Sequence, residues 1–147
     1  MIRDFWQTDA RLHPKVQQYG CAFLDACYLA PQDLEPADVN EIFRNMKIVG
    51  FLNDNSKIED WDHVLWSISP ILRLKFKTSS YDYWCGPYEK ELLKWWLDNV
   101  KENHFTVGNG RSITEWDSMN RPDIMKMVKD GKPNATFVEK VIVKVGG

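Results

Sequence analysis

Apolar and polar positions along this chain fall into two regimes, a helical one first and a strand-like one later. After Gly20, the stretch CAFLDACYLA is almost wholly apolar, with Asp25 its single charged residue. A helix apolar nearly all round belongs in the centre of a fold. A central helix is therefore expected over residues 21–30, stopped by Pro31 because the residue before proline avoids the helical region. Val39, Ile42, Phe43 and Met46 recur at i, i+3, i+4 and i+7. That spacing predicts an amphipathic helix over 36–47, with Pro36 at its first position. Gly50 breaks the pattern. A polar loop over 53–57 then leads to a short helix over 60–69, closed by Pro70.

Leu72, Leu74 and Phe76 alternate with Arg73, Lys75 and Lys77, a period of two that reads as a strand. The segment 81–87 is aromatic and irregular. Residues 88–101 (YEKELLKWWLDNVK) read as a helix with Leu92, Leu93, Trp96 and Val100 on one face. Beyond it the chain turns β-prone. His104–Val107 is a short strand, Asn109-Gly110 is a strong hairpin signal, and 112–117 is the return strand. A polar stretch runs to Pro133, and 135–145 closes the chain as a long β-prone run. Residues 1–20, with Pro14, look irregular. Helices first and strands later make an α+β fold, with the helix headed by Cys21 packed on a C-terminal antiparallel sheet.

Composition narrows the function classes. The 147 residues suit a single domain, 1–147, which at about 150 residues buries roughly 70% of its unfolded surface. The net charge of −2 is spread without a basic stripe, which argues against a nucleic-acid partner. No apolar run approaches the roughly 18 residues of a membrane span, so no membrane partner is expected. The start, MIRDFWQTD, lacks the apolar region of a signal peptide. Three cysteines, Cys21, Cys27 and Cys85, are an odd count with no zinc spacing. Reduced thiols in a cytoplasmic setting follow.

The chemistry converges on Cys21. At the head of a buried helix, the dipole and free amides favour negative charge, and a thiolate is the reactive form of cysteine. His104 begins a later strand, and Asp117 lies on its hairpin partner. With Gly110-Arg111 as the loop, His104 faces Asp117 directly. With Asn109-Gly110 as the loop, it faces Glu115, and Asp117 is diagonal on the same side. Both registers share a face because strand side chains alternate. A three-residue loop would separate them unless a bulge intervened. Asp117 would orient the imidazole and His104 would take the thiol proton, the logic of a nucleophile–base–orienter triad.

In YGCAFLDACYLA, HFTVGNG and ITEWDSM the chain resembles the papain-like cysteine peptidases, especially their bacteriocin-processing peptidase-like branch. The same segments are similar to a group of phage and prophage proteins of unknown function. The resemblance implies a papain-like fold, Cys21 as nucleophile, His104 as general base and Asp117 as orienter. It also implies an upstream glutamine in the oxyanion hole beside the Cys21 amide, where losing one donor costs roughly 3–4 kcal/mol of barrier stabilisation. Gln17 completes the site set, with Gln18 and Gln7 as alternatives. The family commonly has glycine after the cysteine, where Ala22 stands here, and its Thr/Ser-rich helix start is replaced by AFLDA. The match is better at the ends than over 31–100.

The expected function is thus a thiol hydrolase cleaving a peptide or amide bond through a thioester. The same triad also serves acyl transfer. No metal or organic cofactor is called for, and the partner is a peptide or protein substrate, with a phage-encoded protein acting in the host cell as one setting. The alternative is a catalytically inactive papain-like binding protein, such as a phage-derived inhibitor, and a peptidoglycan-cleaving enzyme is a third reading. Other residues have plainer roles. WCGPY at Cys85 resembles the thioredoxin WCGP, but Tyr88 stands where the resolving cysteine should be. His13 and His63 have no partners at metal-ligand spacing. Cys27 is expected in the core. Asp25 faces the groove, a base or solvent. Trp61, Trp66, Trp95, Trp96 and Trp116 are expected mostly in the core, with Trp84 and Trp116 as candidates for a cleft.

Overall fold

The computed structural model describes residues 2–52, 57–98, 101–119 and 135–146. A turn of 3-10 helix at Ile2–Asp4 precedes α1 (Pro14–Tyr19), α2 (Cys21–Tyr28), α3 (Pro36–Ile48) and α4 (Trp61–Ile68). The strands follow: β1 (Leu72–Thr78), β2 (Glu89–Leu97), β3 (Glu102–Gly108), β4 (Thr114–Trp116) and β5 (Ala135–Val145). They form one antiparallel sheet in the order β1-β5-β2-β3-β4. The architecture is α+β.

Local chemistry starts the helices. Glu35 and Asp38 form a reciprocal capping box ahead of α3, with Pro36 in its first turn. The Asp60 carboxylate accepts the His63 amide at 3.1 Å to open α4. Only Gly20 separates α1 from α2. A Cβ at Gly20 would stand 2.5 Å from the Val16 carbonyl oxygen, so glycine is what lets the two helices join so closely. That junction sets Cys21 at the first position of α2.

Residues 22–27 of α2 are all buried. The helix packs on β3 and touches β2, α1 and α4. Its Phe23, Leu24, Ala26 and Cys27 share a core with Val39 and Phe43 of α3, Val64 and Leu65 of α4, and Leu92, Val107 and Val141 of the sheet. A smaller cluster joins Leu93, Trp95, Leu97 and Ala135 with Phe137, and the Tyr81 ring meets Trp95 and Phe137 edge-on.

Several expectations need correcting. Residues 88–101 do not form a helix: Glu89–Leu97 is the strand β2, paired with β5 on one side and β3 on the other. The segment is rich in Glu, Lys and Leu, which favour helix in isolation, but a central strand buried on both faces shows no clean alternation. Leu92 joins the helix-side core while Leu93, Trp95 and Leu97 fill the second cluster. The first 20 residues are more regular than expected, carrying the 3-10 turn and α1. Asp25 is fully buried rather than solvent-facing. Trp61, Trp95 and Trp116 are buried, but Trp66 (54% exposed) and Trp96 (38%) are not. The polar stretch after the hairpin and most of the loop before α4 lie outside the described residues. Among those described, no helix is long and apolar enough to cross a membrane.

Candidate active site

Cys21, His104 and Asp117 meet where the head of α2 reaches β3 and the end of β4. The route differs from either two-residue hairpin. The loop between β3 and β4 spans five residues, 109–113, closed by the Asn109 amide on the Ile113 carbonyl at 2.7 Å. Its Asn109 side chain accepts the Arg111 amide at 2.8 Å. An odd loop alone would set His104 and Asp117 on opposite faces. The register slips by one residue between Gly108↔Thr114 and Val107↔Trp116. This bulge at Glu115 returns the pair to a common face. His104 Nε2 then lies 2.7 Å from Asp117 Oδ1, which also accepts the Met119 amide at 3.0 Å.

With Nε2 on the carboxylate, Nδ1 is the ring nitrogen left for the thiol. The His104 side chain and the backbone amides of Phe105 and Ala22 lie close enough to the Cys21 sulfur to act on its charge. Burial works to raise the thiol pKa, but the His104 hydrogen bond and charge, with those two amides, carry it below the ordinary value. His104 moves the opposite way. Burial works to lower it, and the Asp117 and Cys21 contacts hold it well above the ordinary imidazole value. The two directions together favour a thiolate–imidazolium pair.

No family model, curated protein or solved structure matches this chain.

The three glutamines separate clearly. Gln17 turns away: its amide donates to the Leu12 carbonyl at 2.8 Å, and it does not line the cavity beside Cys21. Gln18 and Gln7 both line that cavity, together with His104 and Met119. Gln18 is exposed, whereas Gln7 is buried and fixed at three points. Its backbone amide bonds the Ser118 carbonyl at 2.8 Å, its Oε1 accepts the Ser118 hydroxyl at 2.8 Å, and its Nε2 donates to the Gln17 carbonyl at 3.1 Å. One Nε2 hydrogen is thus used and the second is left for the cavity. Ser118 directly follows Asp117, so the clamp ties the glutamine to the segment that carries the Asp117 carboxylate. Nothing in the local sequence of Ser118 marks this role.

Asp25 lies one helical turn beyond Cys21, and neither of its carboxylate oxygens has a hydrogen-bond partner among the described residues. Burial, reinforced by the negative charges of Cys21 and Asp117, holds its pKa well above the carboxylate range, against the opposing pull of His104. Burial and Asp25 likewise push the Cys27 thiol up, as befits a core residue.

The other sequence candidates sit elsewhere. Cys85 lies in the loop before β2, its amide on the Gly110 carbonyl at 2.8 Å. Burial and the nearby Glu91 and Glu89 carboxylates push its thiol up to about 12. His13 caps α1, accepting the Lys15 amide at 3.1 Å. His63 pairs with Asp60 at 2.6 Å. Trp84 is exposed, under the Arg111 guanidinium, and Trp116 stacks on Tyr28 and Trp6.

Proposed function

We propose that this chain is a papain-like thiol hydrolase that cleaves a peptide or amide bond through a thioester on Cys21. The observation that carries the reading is the chain of contacts from the Cys21 thiol through the His104 imidazole to Asp117 at 2.7 Å. That relay arms the thiol and holds the base at once.

The Cys21 thiolate attacks the scissile carbonyl carbon, forming a C–S bond. Negative charge moves to the carbonyl oxygen, where the remaining Gln7 N–H and the Cys21 amide donate to it. The imidazolium of His104 passes its Nδ1 proton to the departing amine nitrogen, and the C–N bond breaks. A water molecule, deprotonated by His104, then attacks the thioester carbonyl. The C–S bond breaks, acid product leaves, and the thiolate–imidazolium pair is restored. Asp117 keeps Nε2–H directed at itself throughout, so Nδ1 remains the working nitrogen. Gln7 suits the oxyanion role better than Gln17, whose amide is committed to Leu12.

The test is a mixture of unstructured peptides incubated with the native protein and with Cys21→Ala, read by mass spectrometry. Cleavage lost in Cys21→Ala, with an acyl adduct on Cys21 after acid quench, is the expected result. Cleavage that persists in Cys21→Ala, or no cleavage of any peptide by a protein whose Cys21 is no more reactive than a free thiol, overturns the proposal.

A further inference from the structure

Asp25 is wholly buried next to the triad, yet the reaction above makes no use of it. Residues three and four apart share a helix face, so Cys21, Asp25 and Tyr28 form one stripe of α2. Both ends of that stripe are fixed against the sheet. Cys21 lies against His104 and Phe105 of β3. The Tyr28 ring stacks on Trp116 of β4 at 4.9 Å, and its hydroxyl donates to Glu115 at 3.1 Å. Asp25, between them, faces the seam where Asp117 follows Trp116.

This seam is short of hydrogen-bond donors. Among the described residues, four buried side-chain polar atoms have no partner: both carboxylate oxygens of Asp25, Oδ2 of Asp117 and Nε1 of Trp116. Buried polar groups are nearly always paired. With both carboxyls ionised, three acceptor oxygens share one donor, the indole N–H, and two negative charges share one buried seam. A single added proton leaves two donors, two acceptors and one charge. That proton belongs on Asp25. Asp117 Oδ1 already accepts from His104 at 2.7 Å and from the Met119 amide at 3.0 Å, which favours its ionised form. Asp25 has no such donors. Besides burial, the charges acting on it are Cys21 of its own helix, Asp117 beyond β4 and, in the opposite sense, His104 of β3. Cys27, its other titratable neighbour on α2, is held as the neutral thiol.

We propose that Asp25 is a positioning residue of this site: as the neutral acid, it gives its O–H to the free Oδ2 of Asp117 and fixes the carboxylate that directs His104. This rests on the triad reading above and adds a residue that acts through Asp117, not on substrate. A carboxylate held at Oδ1 alone can turn about its Cβ–Cγ bond, and a donor at Oδ2 locks its plane. A neutral donor does so without cancelling the charge that Asp117 offers to the imidazolium.

Two measurements test this. A neutral carboxylic acid has an infrared carbonyl stretch distinct from that of a carboxylate. The native protein at pH 7 should show such a band, absent in Asp25→Asn and shifted or lost in Asp117→Asn. Iodoacetamide labelling of Cys21 near pH 6 gives the second readout. Asp25→Leu, which branches as aspartate does but carries no donor, should label on the order of fivefold slower than the native protein. Asp25→Asn, which keeps an N–H donor, should recover most of that loss. The infrared measurement uses the native protein, so it decides even if Asp25→Leu does not fold. No acid band in the native protein, a band unmoved in Asp117→Asn, or a cooperatively unfolding Asp25→Leu that labels as fast as native overturns the role of Asp25 and leaves the hydrolase reading intact. Slow labelling of Cys21 in the native protein itself overturns both.

Discussion

Cys21 and Cys85 make a natural experiment within one molecule. Both are partly buried, both border a cavity, and both lie beside β3 or its hairpin loop. Of the two, Cys85 has the more conspicuous sequence, WCGPY. Yet its thiol is held up to about 12, while that of Cys21 is held below its ordinary value. The difference is the sign of what the fold brings to each sulfur. Cys21 receives an imidazole and two backbone amides. Cys85 receives the carboxylates of Glu91 and Glu89. Burial raises both, so the partner decides the outcome. What separates the two thiols comes from residues far off in the chain rather than from the letters around them.

The comparison breaks most strongly at Glu91. Its carboxylate accepts from the amides of Gly110 at 3.0 Å and Ser112 at 2.8 Å, and it pairs with the wholly buried Lys140 ammonium at 3.1 Å. The same carboxylate lies so close to Gly108 that a Cβ there would collide with it. Glu91→Gln leaves Lys140 buried without its counter-charge, which should cost about 3–5 kcal/mol, read as a lower urea midpoint. It also removes a carboxylate from Cys85, so the alkylation pKa of Cys85 should fall toward that of a free thiol.

Asp117→Asn acts on the other side of the comparison. It removes the charge that stabilises imidazolium at His104 and can reverse the ring's tautomer. Cys21 alkylation near pH 6 should fall on the order of tenfold or more, one decade being about 1.4 kcal/mol. The reactivity of Cys85 should not move.

Asp25→Asn is the mildest change. Asp25 is raised in the folded state, so between its unfolded value near 3.9 and its folded value the native protein holds a proton that the unfolded chain releases. Its contribution is fully present below the unfolded value and is lost as pH rises. Asparagine cannot ionise and escapes that loss. The variant should melt a few degrees higher than the parent at pH 7, with the gap closing as pH falls toward 4.

α2, α3 and α4 were legible because their signals are local: the spacing of Val39, Phe43 and Met46, Pro36 in the first turn of α3, and the nearly continuous apolar run of α2 all act within a turn or two. β5 matched its expected bounds, 135–145, for a similar reason, being long and β-branched. β2 was not legible, because its partners β3 and β5 are what make EKELLKWWL extended. At the site, Cys21, His104 and Asp117 could be named from chain order and strand alternation. The five-residue loop and its compensating bulge could not, since two such departures cancel and leave no trace in the parity of the sequence. Gln7 is held at the cavity by Ser118, more than 100 residues away in the chain, a contact that proximity in sequence does not reveal.

The most direct test of the central claim is the pH dependence of iodoacetamide alkylation at each cysteine of the native protein, read by peptide mass spectrometry, with His104→Ala alongside. Cys21 should react fastest, its acid limb should lie well below the unperturbed thiol value of about 8.5, and His104→Ala should abolish that advantage. Cys85 should stay slow until strongly alkaline pH. A Cys21 that remains inert until the protein unfolds, or that keeps its low limb without His104, would contradict the thiol–imidazole pair and with it the hydrolase reading.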